Sequence, residues 1–280
     1  MALERGDVGT ERARIERVCD ELGQPADDTL VPTRECRTEP DRLIVVRDWV
    51  DGSDLRASGG DNGTLSLVVA LEVVSQVARG LDAARWAHGV VHGNLKPQNI
   101  LLEPRPDGPV PGRVWVVDFG FWRPSGDLSE FGRTERAHRS AYLAPELVGG
   151  EEPTASSDQY ALACVLYECL SGEPPFGGTE SVTAHARLEE RPPSIRERRP
   201  EISQAVDEAI GRALARQPED QNHERGAREE PPMGRSCLGI RAATDKGRQT
   251  RAPGIGAARS GCRSPREHDI SQYRPGCLTS

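Results

Sequence analysis

Three short stretches decide the fold of this chain: VVHGNLKPQNILL at residues 90–102, VWVVDFG at residues 114–120 and AYLAPE at residues 141–146. The apolar runs Asn99–Leu102 and Val114–Val117 are separated by EPRPDGPVPG, a segment rich in Pro and Gly. Short apolar runs on either side of turn-forming residues are typical of paired strands. We therefore predict a β-hairpin with a long connection in this region.

Amphipathic helices are predicted on both sides of this hairpin. In residues 66–88 apolar side chains recur every three or four positions, from Leu67 to Leu81, and form one stripe. The same periodicity predicts three further helices, over residues 11–22, 158–170 and 203–216.

Strands are predicted between the first two helices. The apolar runs Thr29–Pro32 and Leu43–Val46 are short and rich in β-branched residues, which favours strands. Asp51-Gly52 predicts a turn, and the Gly, Ser and Asp content of residues 53–63 predicts a loop.

The charge of the chain is unevenly distributed. The formal net charge is −8, yet residues 221–280 contain 11 Lys and Arg against 6 Asp and Glu. The first 220 residues are therefore strongly acidic, which argues against a nucleic-acid or anionic-membrane partner because both would repel them. Residues 222–280 lack apolar periodicity and are rich in Arg, Gly, Pro and Ser, so we predict that they are disordered.

The cellular location is predicted from what the sequence lacks. No apolar run approaches the roughly 20 residues of a membrane span, and the N-terminus has no apolar core of a signal peptide. The seven Cys residues are scattered without a C-x-x-C pair, and Cys164 and Cys169 fall in an apolar helix where small core residues are expected. We expect a cytoplasmic protein with no membrane contact of its own.

The three opening stretches resemble the catalytic loop, the D-F-G motif and the A-P-E motif of eukaryotic-type protein kinases, in that family's order and spacing. The resemblance covers residues 11–220 and is closest to the Ser/Thr kinases of bacteria and archaea. It implies an α+β, two-lobe, protein-kinase-like fold with a reduced N-terminal lobe and a mainly helical C-terminal lobe. It also implies ATP and Mg²⁺ as ligands.

Several residues match the positions that carry chemistry in this family. By resemblance, Asp118 and Asn99 would hold Mg²⁺, which prefers oxygen ligands, and Lys96 would steady the transferring phosphate. The alternative is that these residues persist from an active ancestor without a present role. The resemblance also assigns structural roles, to Glu11, His92, Phe119, Gly120, Glu146 and Asp158. Asp158 would brace the backbone of the catalytic loop, or cap the helix that begins there.

Other positions depart from the family's pattern. Asn94 stands where the family has its catalytic Asp, and an amide cannot take up a proton near neutral pH. Gly93 replaces the neighbouring Arg, and Arg139 replaces the Thr that helps to seat the acceptor residue. Gln221 replaces the Arg that normally pairs with the A-P-E glutamate, Glu146, so that this carboxylate is expected to lack its partner.

The front of the chain departs furthest from the family. Only ten residues precede Glu11, the position of the helix glutamate, and they contain neither a Lys nor a G-x-G-x-x-G motif. The family's phosphate-covering loop and the strand Lys therefore have no counterpart there. The expected nucleotide binding is weak or absent, and any residual binding is expected to need Mg²⁺ through Asp118 and Asn99.

The hinge alignment identifies further candidates. Asp48 and Val50 would contact the adenine, and Trp49 would pack beside it. Arg47 falls at the gatekeeper position, which is usually apolar, and we hypothesise that it pairs with Glu11 in space that a nucleotide would need. The alternative is that both side chains lie in water.

We predict a remnant of the kinase N-terminal lobe over residues 1–50, a kinase-like C-terminal lobe over 51–221 and a disordered tail over 222–280, for which the alternative is an out-of-frame translation. Three functions are compatible with these features. The first is a pseudokinase that binds or regulates an unidentified protein partner. The second is a weakly active Ser/Thr kinase, and the third is a gene fragment without a selected function.

Overall fold

Two long helices form the centre of the core. The computed structural model describes residues 5–38, 43–59, 63–104, 112–120, 141–177 and 189–215. Within it, helices Leu67–His88 and Ala155–Ser171 pack against each other. The second of these is buried around almost its whole circumference, including the polar residues of its first turn from Ser156 to Gln159, and is largely apolar from Tyr160 to Leu170. Both helices were predicted, with ends within about three residues of those observed.

The described elements follow one another as helices α1 to α5 and strands β1 to β5. In chain order they are α1 (Arg5–Glu21), β1 (Thr33–Thr38), β2 (Leu43–Arg47), β3 (Ser53–Asp54), α2 (Leu67–His88), β4 (Ile100–Glu103), β5 (Arg113–Val116), α3 (Pro145–Val148), α4 (Ala155–Ser171) and α5 (Gln204–Ala213). Short 3₁₀ helices lie at Pro97–Asn99 and Ile195–Glu197. The predicted α+β class is confirmed.

Local capping determines where the two central helices begin and end. The Ser66 side chain accepts a hydrogen bond from the Val69 amide at the start of α2, and Gly89 ends that helix with φ of 65°. At the start of α4, Thr154 and Ser157 form a reciprocal capping box, and Gly172 ends the helix with φ of 85°. Thr154, rather than Asp158, is therefore the N-cap of α4.

The strands form two small sheets. β3, β4 and β5 make one antiparallel sheet in that order, which confirms the predicted hairpin between Ile100 and Val116. β1 and β2 make a separate antiparallel pair, with a register irregularity between Thr33 and Glu35. The short strand β3 lies in the segment that was predicted to be entirely loop.

The predicted strand Thr29–Pro32 is wrong. Asp27 accepts hydrogen bonds from the amide and hydroxyl of Thr29, which turns the chain, and Pro32 has no amide hydrogen to donate. Only Leu30 pairs, as an isolated parallel bridge with Val116. The strand begins at Thr33 instead, in a polar sequence whose hydrogen bonds come from pairing with β2.

One apolar core includes residues from both ends of the described chain. Val18 and Leu22 of α1 and Leu30 belong to the same cluster as the buried faces of α2 and α4. Cys164 and Cys169 are buried in α4, as predicted.

Within the described ranges, none of the helices has the length and apolarity needed to cross a bilayer. The predicted disordered tail lies outside the described residues.

Two helical glycines provide a matched test of this packing. A Cβ atom on Gly80 of α2 would lie 2.2 Å from the Thr29 Oγ1, which is buried and bonded to Asp27, whereas a Cβ on Gly211 of α5 would meet nothing within 4 Å. We expect Gly80→Ala to lower the free energy of unfolding by about 1–3 kcal/mol through overpacking. Gly211→Ala should raise it by about 0.5–1 kcal/mol, because Ala is the better helix former.

Urea unfolding of both variants measures these changes. An equal effect at the two positions would mean that α2 does not approach Thr29 as closely as described.

Candidate active site

The loop between α2 and β4 is anchored to the core through its backbone. The Asp158 carboxylate of α4 accepts the His92 amide at 2.8 Å and the Gly93 amide at 2.8 Å. Gly93 has φ of 70°, a conformation that a residue without a Cβ adopts at little cost. The structure therefore has Asp158 in the bracing position that the sequence predicted.

Asn94 follows this anchored turn. The backbone amide of Asn94 donates to the His92 Nδ1 at 3.2 Å, and its backbone carbonyl accepts the Asn99 side-chain amide at 2.9 Å. Burial lowers the pKa of His92 to about 4, so its ring is neutral near pH 7 and Nδ1 is free to accept. The loop is thus held by backbone and side-chain bonds that do not involve the Asn94 side chain.

Asp118 is brought next to this loop by the strand that precedes it. The Val117 amide donates to the Asn99 carbonyl at 3.0 Å, and the Gly120 amide donates to the His92 carbonyl at 3.1 Å. Between these bonds Asp118 has φ of 64°, the only positive φ among the described non-glycine residues. Such a conformation is uncommon for non-glycine residues, although Asp is among those enriched there. The two predicted metal positions, Asn99 and Asp118, therefore lie on adjacent segments.

Phe119 and Gly120 pack where structural roles were predicted. The Phe119 ring centroid lies 4.5 Å from that of His92, and both side chains are buried. A Cβ atom on Gly120 would lie 3.0 Å from a methyl group of Val18, and its φ is 74°. Gly120 therefore permits α1 to approach this turn.

The Arg47 side chain contacts the predicted metal ligand. Its Nη1 donates to Oδ1 of Asp118, and both side chains are 38% exposed. We hypothesised that Arg47 pairs with Glu11, whereas the partner that the structure describes for Arg47 is Asp118. Glu11 lies in α1, and its side chain is outside the described part of the chain.

The donor set fits a divalent cation only in part. The Asn99 Nδ2 is committed to the Asn94 carbonyl, which leaves its Oδ1 as the atom suited to a hard cation. The Asp118 carboxylate is engaged by a guanidinium. Lys96, the predicted phosphate contact, is half-buried just before the 3₁₀ helix that carries Asn99.

The hinge residues line a different cavity. Asp48, Trp49 and Val50 border a cavity of about 380 Å³ together with Trp115, whereas Arg47 and Asp118 border one of about 30 Å³. The Asp48 carboxylate is held by Arg34, and its amide donates to the Pro32 carbonyl at 3.1 Å. Trp49, predicted to pack beside an adenine, is 90% exposed.

Glu146 has one partner that the sequence did not predict. Its Oε1 accepts the Ser157 hydroxyl at 2.7 Å, while its Oε2 is buried with no hydrogen-bond partner among the described residues. Ser157 forms the α4 capping box with Thr154. This pair of hydroxyl residues, three positions apart before a helix, was visible in the sequence. Arg139 and Gln221, two predicted departures from the kinase pattern, lie outside the described residues.

The charge of Asp158 predicts a pH-dependent stability. Burial raises its pKa to about 7, although the bonds from His92 and Gly93 act in the opposite direction. Between pH 4 and pH 7 the folded state therefore binds a proton at Asp158 that the unfolded state does not, which stabilises the fold as the pH falls.

We expect the wild type to gain stability relative to Asp158→Asn as the pH falls from about 7 towards 4, by about 1.4 kcal/mol per pH unit. Urea unfolding of both proteins across this range measures the difference, and the titration of other groups cancels. A difference that grows as the pH rises would mean that the two amide bonds outweigh burial.

Comparisons with known proteins identify the family of this chain. The sequence model of the protein kinase domain matches residues 11–223. The chain is 33% identical over 216 residues to serine/threonine-protein kinase PknD of Mycobacterium tuberculosis, which covers 76% of this chain and 31% of that protein. It is 33% identical over 211 residues to PknE of the same species, covering 75% and 36%.

A third relative is serine/threonine-protein kinase PknB of Mycobacterium leprae, 34% identical over 204 residues, covering 71% of this chain and 31% of that protein. The chain thus spans about a third of the length of these curated relatives. The motifs at Asn94–Asn99 and Asp118–Gly120, their mutual geometry and the extent of these matches lead to one conclusion: this chain belongs to the protein kinase family.

Proposed function

We propose that this protein kinase domain is catalytically impaired and acts as a binding or regulatory module for a protein partner. The observation that carries the proposal is Asn94, which occupies the position of the family's proton acceptor in a loop that is otherwise held in place. An amide oxygen can orient a hydroxyl group, but it does not take its proton near neutral pH. Loss of a general base typically lowers the rate by about 10²–10⁴-fold.

The bonds around Asn94 support a persistent fold with altered chemistry. Asp158, His92 and Asn99 hold the loop backbone through contacts that need no carboxylate at position 94. Such a domain keeps its surfaces for a partner even when phosphoryl transfer is lost. A gene fragment without a selected function would be expected to lose this brace as readily as the proton acceptor.

The second candidate is a weakly active Ser/Thr kinase. The similarity to PknD, PknE and PknB favours it, since all three are serine/threonine-protein kinases. Asp118, Asn99 and Lys96 also remain as possible contacts for Mg²⁺ and ATP. When bound, Mg²⁺ would neutralise charge on the phosphates. The two candidates differ in one measurable quantity, the turnover of the purified chain.

We expect turnover below about 0.1 s⁻¹, since kinases typically reach about 1–100 s⁻¹ and the missing base lowers the rate by about 10²–10⁴-fold, which brings a mid-range rate of about 10 s⁻¹ to about 0.1 s⁻¹ or less. Transfer of radiolabelled phosphate from ATP to generic acceptor proteins, and to the chain itself, measures it. The matched control is Asp118→Asn, which removes the predicted metal ligand. Faster turnover that Asp118→Asn abolishes would establish the weakly active kinase instead.

We also expect weak nucleotide binding, because Asp118 is engaged by Arg47 and the hinge residues line a separate cavity. With a dissociation constant of about 1 mM or more, 1 mM ATP would stabilise the fold by at most about 0.4 kcal/mol. Thermal denaturation with ATP and Mg²⁺ measures this shift. Clear stabilisation by micromolar ATP would show that the cleft is formed for nucleotide.

A further inference from the structure

The Arg47–Asp118 ion pair joins two separate parts of the chain. Arg47 is the last residue of β2, and Asp118 follows β5, 71 residues later. The guanidinium Nη1 donates to Oδ1 of Asp118, and each side chain is 38% exposed. The pair is therefore partly exposed, beside the small cavity that both residues border, and does not lie inside the core.

The backbone around Asp118 is held independently of Arg47. Main-chain bonds from Val117 to Asn99 and from Gly120 to His92 hold the segment on both sides, and Asp118 itself has φ of 64°. The carboxylate that meets Arg47 is thus the one that the D-F-G motif presents to a cation. The neighbouring Asn99 keeps an amide oxygen for the same purpose, since its nitrogen is bonded to Asn94.

Charge at this point opposes a divalent cation. A guanidinium stays charged at every accessible pH, so the repulsion does not disappear on deprotonation. The cavity bordered by Arg47 and Asp118, together with Val18, Leu30 and Val45, has a volume of about 30 Å³. Arg47 and Asp118 thus line the same small cavity, so a cation bound to Asp118 there would lie beside the guanidinium.

We propose that the guanidinium of Arg47 takes the place of a divalent metal on Asp118. A metal ion binds to Asp118 only after the ion pair has opened. The inference goes beyond the proposed function, because it concerns the occupant of Asp118 and not the proton acceptor at Asn94. It also differs from the expectation that residual nucleotide binding needs Mg²⁺. An internal cation would make such binding insensitive to divalent metal.

The test is Mn²⁺ binding to the full chain, followed by the loss of the paramagnetic resonance signal of free Mn²⁺. Arg47→Met removes the competing charge and keeps an unbranched side chain, and we expect it to tighten Mn²⁺ binding about tenfold or more. Two charges of one and two units repel each other appreciably at contact distance even in water, which is the physical basis of this estimate. Arg47→Gln serves as a second variant, with the fold of each checked by circular dichroism.

Arg37→Met is the matched control. Arg37 lies in the same hairpin, is 57% exposed and pairs with Glu35, so its loss removes an equal charge without touching Asp118. We expect it to change Mn²⁺ affinity less than about twofold, because exposed charges at a distance are screened. Addition of Asp118→Asn to Arg47→Met should remove the gain.

The outcomes separate this inference from the proposed function. Unchanged Mn²⁺ affinity in folded Arg47→Met and Arg47→Gln would overturn it, as would a gain that persists with Asp118→Asn. Neither result bears on phosphoryl transfer. Conversely, rapid turnover by the wild-type chain would overturn the proposed impairment, while the comparison of Mn²⁺ affinities would still decide the role of Arg47.

Discussion

The geometry of the candidate site depends on one buried carboxylate. Asp158 projects from α4, the most enclosed helix of the described chain, and accepts the amides of His92 and Gly93 at 2.8 Å each. Taking a carboxylate out of water costs several kcal/mol, and charge-assisted bonds to backbone amides offset that cost only when their geometry is good. The two bonds hold the loop to the central helix, while burial raises the pKa of Asp158 to about 7 and so disfavours its charged form.

The same constraint reaches Asp118 through the backbone. His92 receives the brace through its amide and, through its carbonyl, accepts the amide of Gly120, while its ring packs on Phe119. Each of these contacts sets position without taking part in proton transfer. This explains how a protein kinase domain can retain its architecture with Asn94 in place of a carboxylate, because the residues that hold the loop differ from the residue that would accept the proton.

The sequence was informative wherever local chemistry determines structure. α2 and α4 were predictable from their apolar patterns, and the β4–β5 hairpin from two apolar runs around a Pro- and Gly-rich connection. The strand at Thr33–Thr38 was missed because TRECRT contains no apolar run and is ordered by backbone pairing with β2. Its neighbour Thr29–Pro32 was misassigned because apolar content concealed the turn that Asp27 makes with Thr29.

The candidate site was likewise predictable where a local sequence motif encodes its geometry. Motif spacing identified Asp118, Asn99 and Asp158, since the family's geometry is encoded locally around each. It also singled out Arg47 as an unusual residue at its position, but the partner of Arg47 depends on how a hairpin lies over a turn 71 residues away. No local pattern carries that information.

Arg47 and Asp118 also belong to parts of unequal rigidity. Asp118 is held by main-chain bonds to a loop anchored in the core, whereas Arg47 ends a two-stranded hairpin. Two-stranded hairpins are marginal in stability by themselves and depend on their packing partners. The hairpin contacts the rest of the chain mainly through α1, and the Thr33 amide donates to the Leu22 carbonyl at its end. Because the backbone around Asp118 is bonded on both sides, the approach of Arg47 to that carboxylate depends on the position of the hairpin, which the packing of α1 against β1 helps to hold.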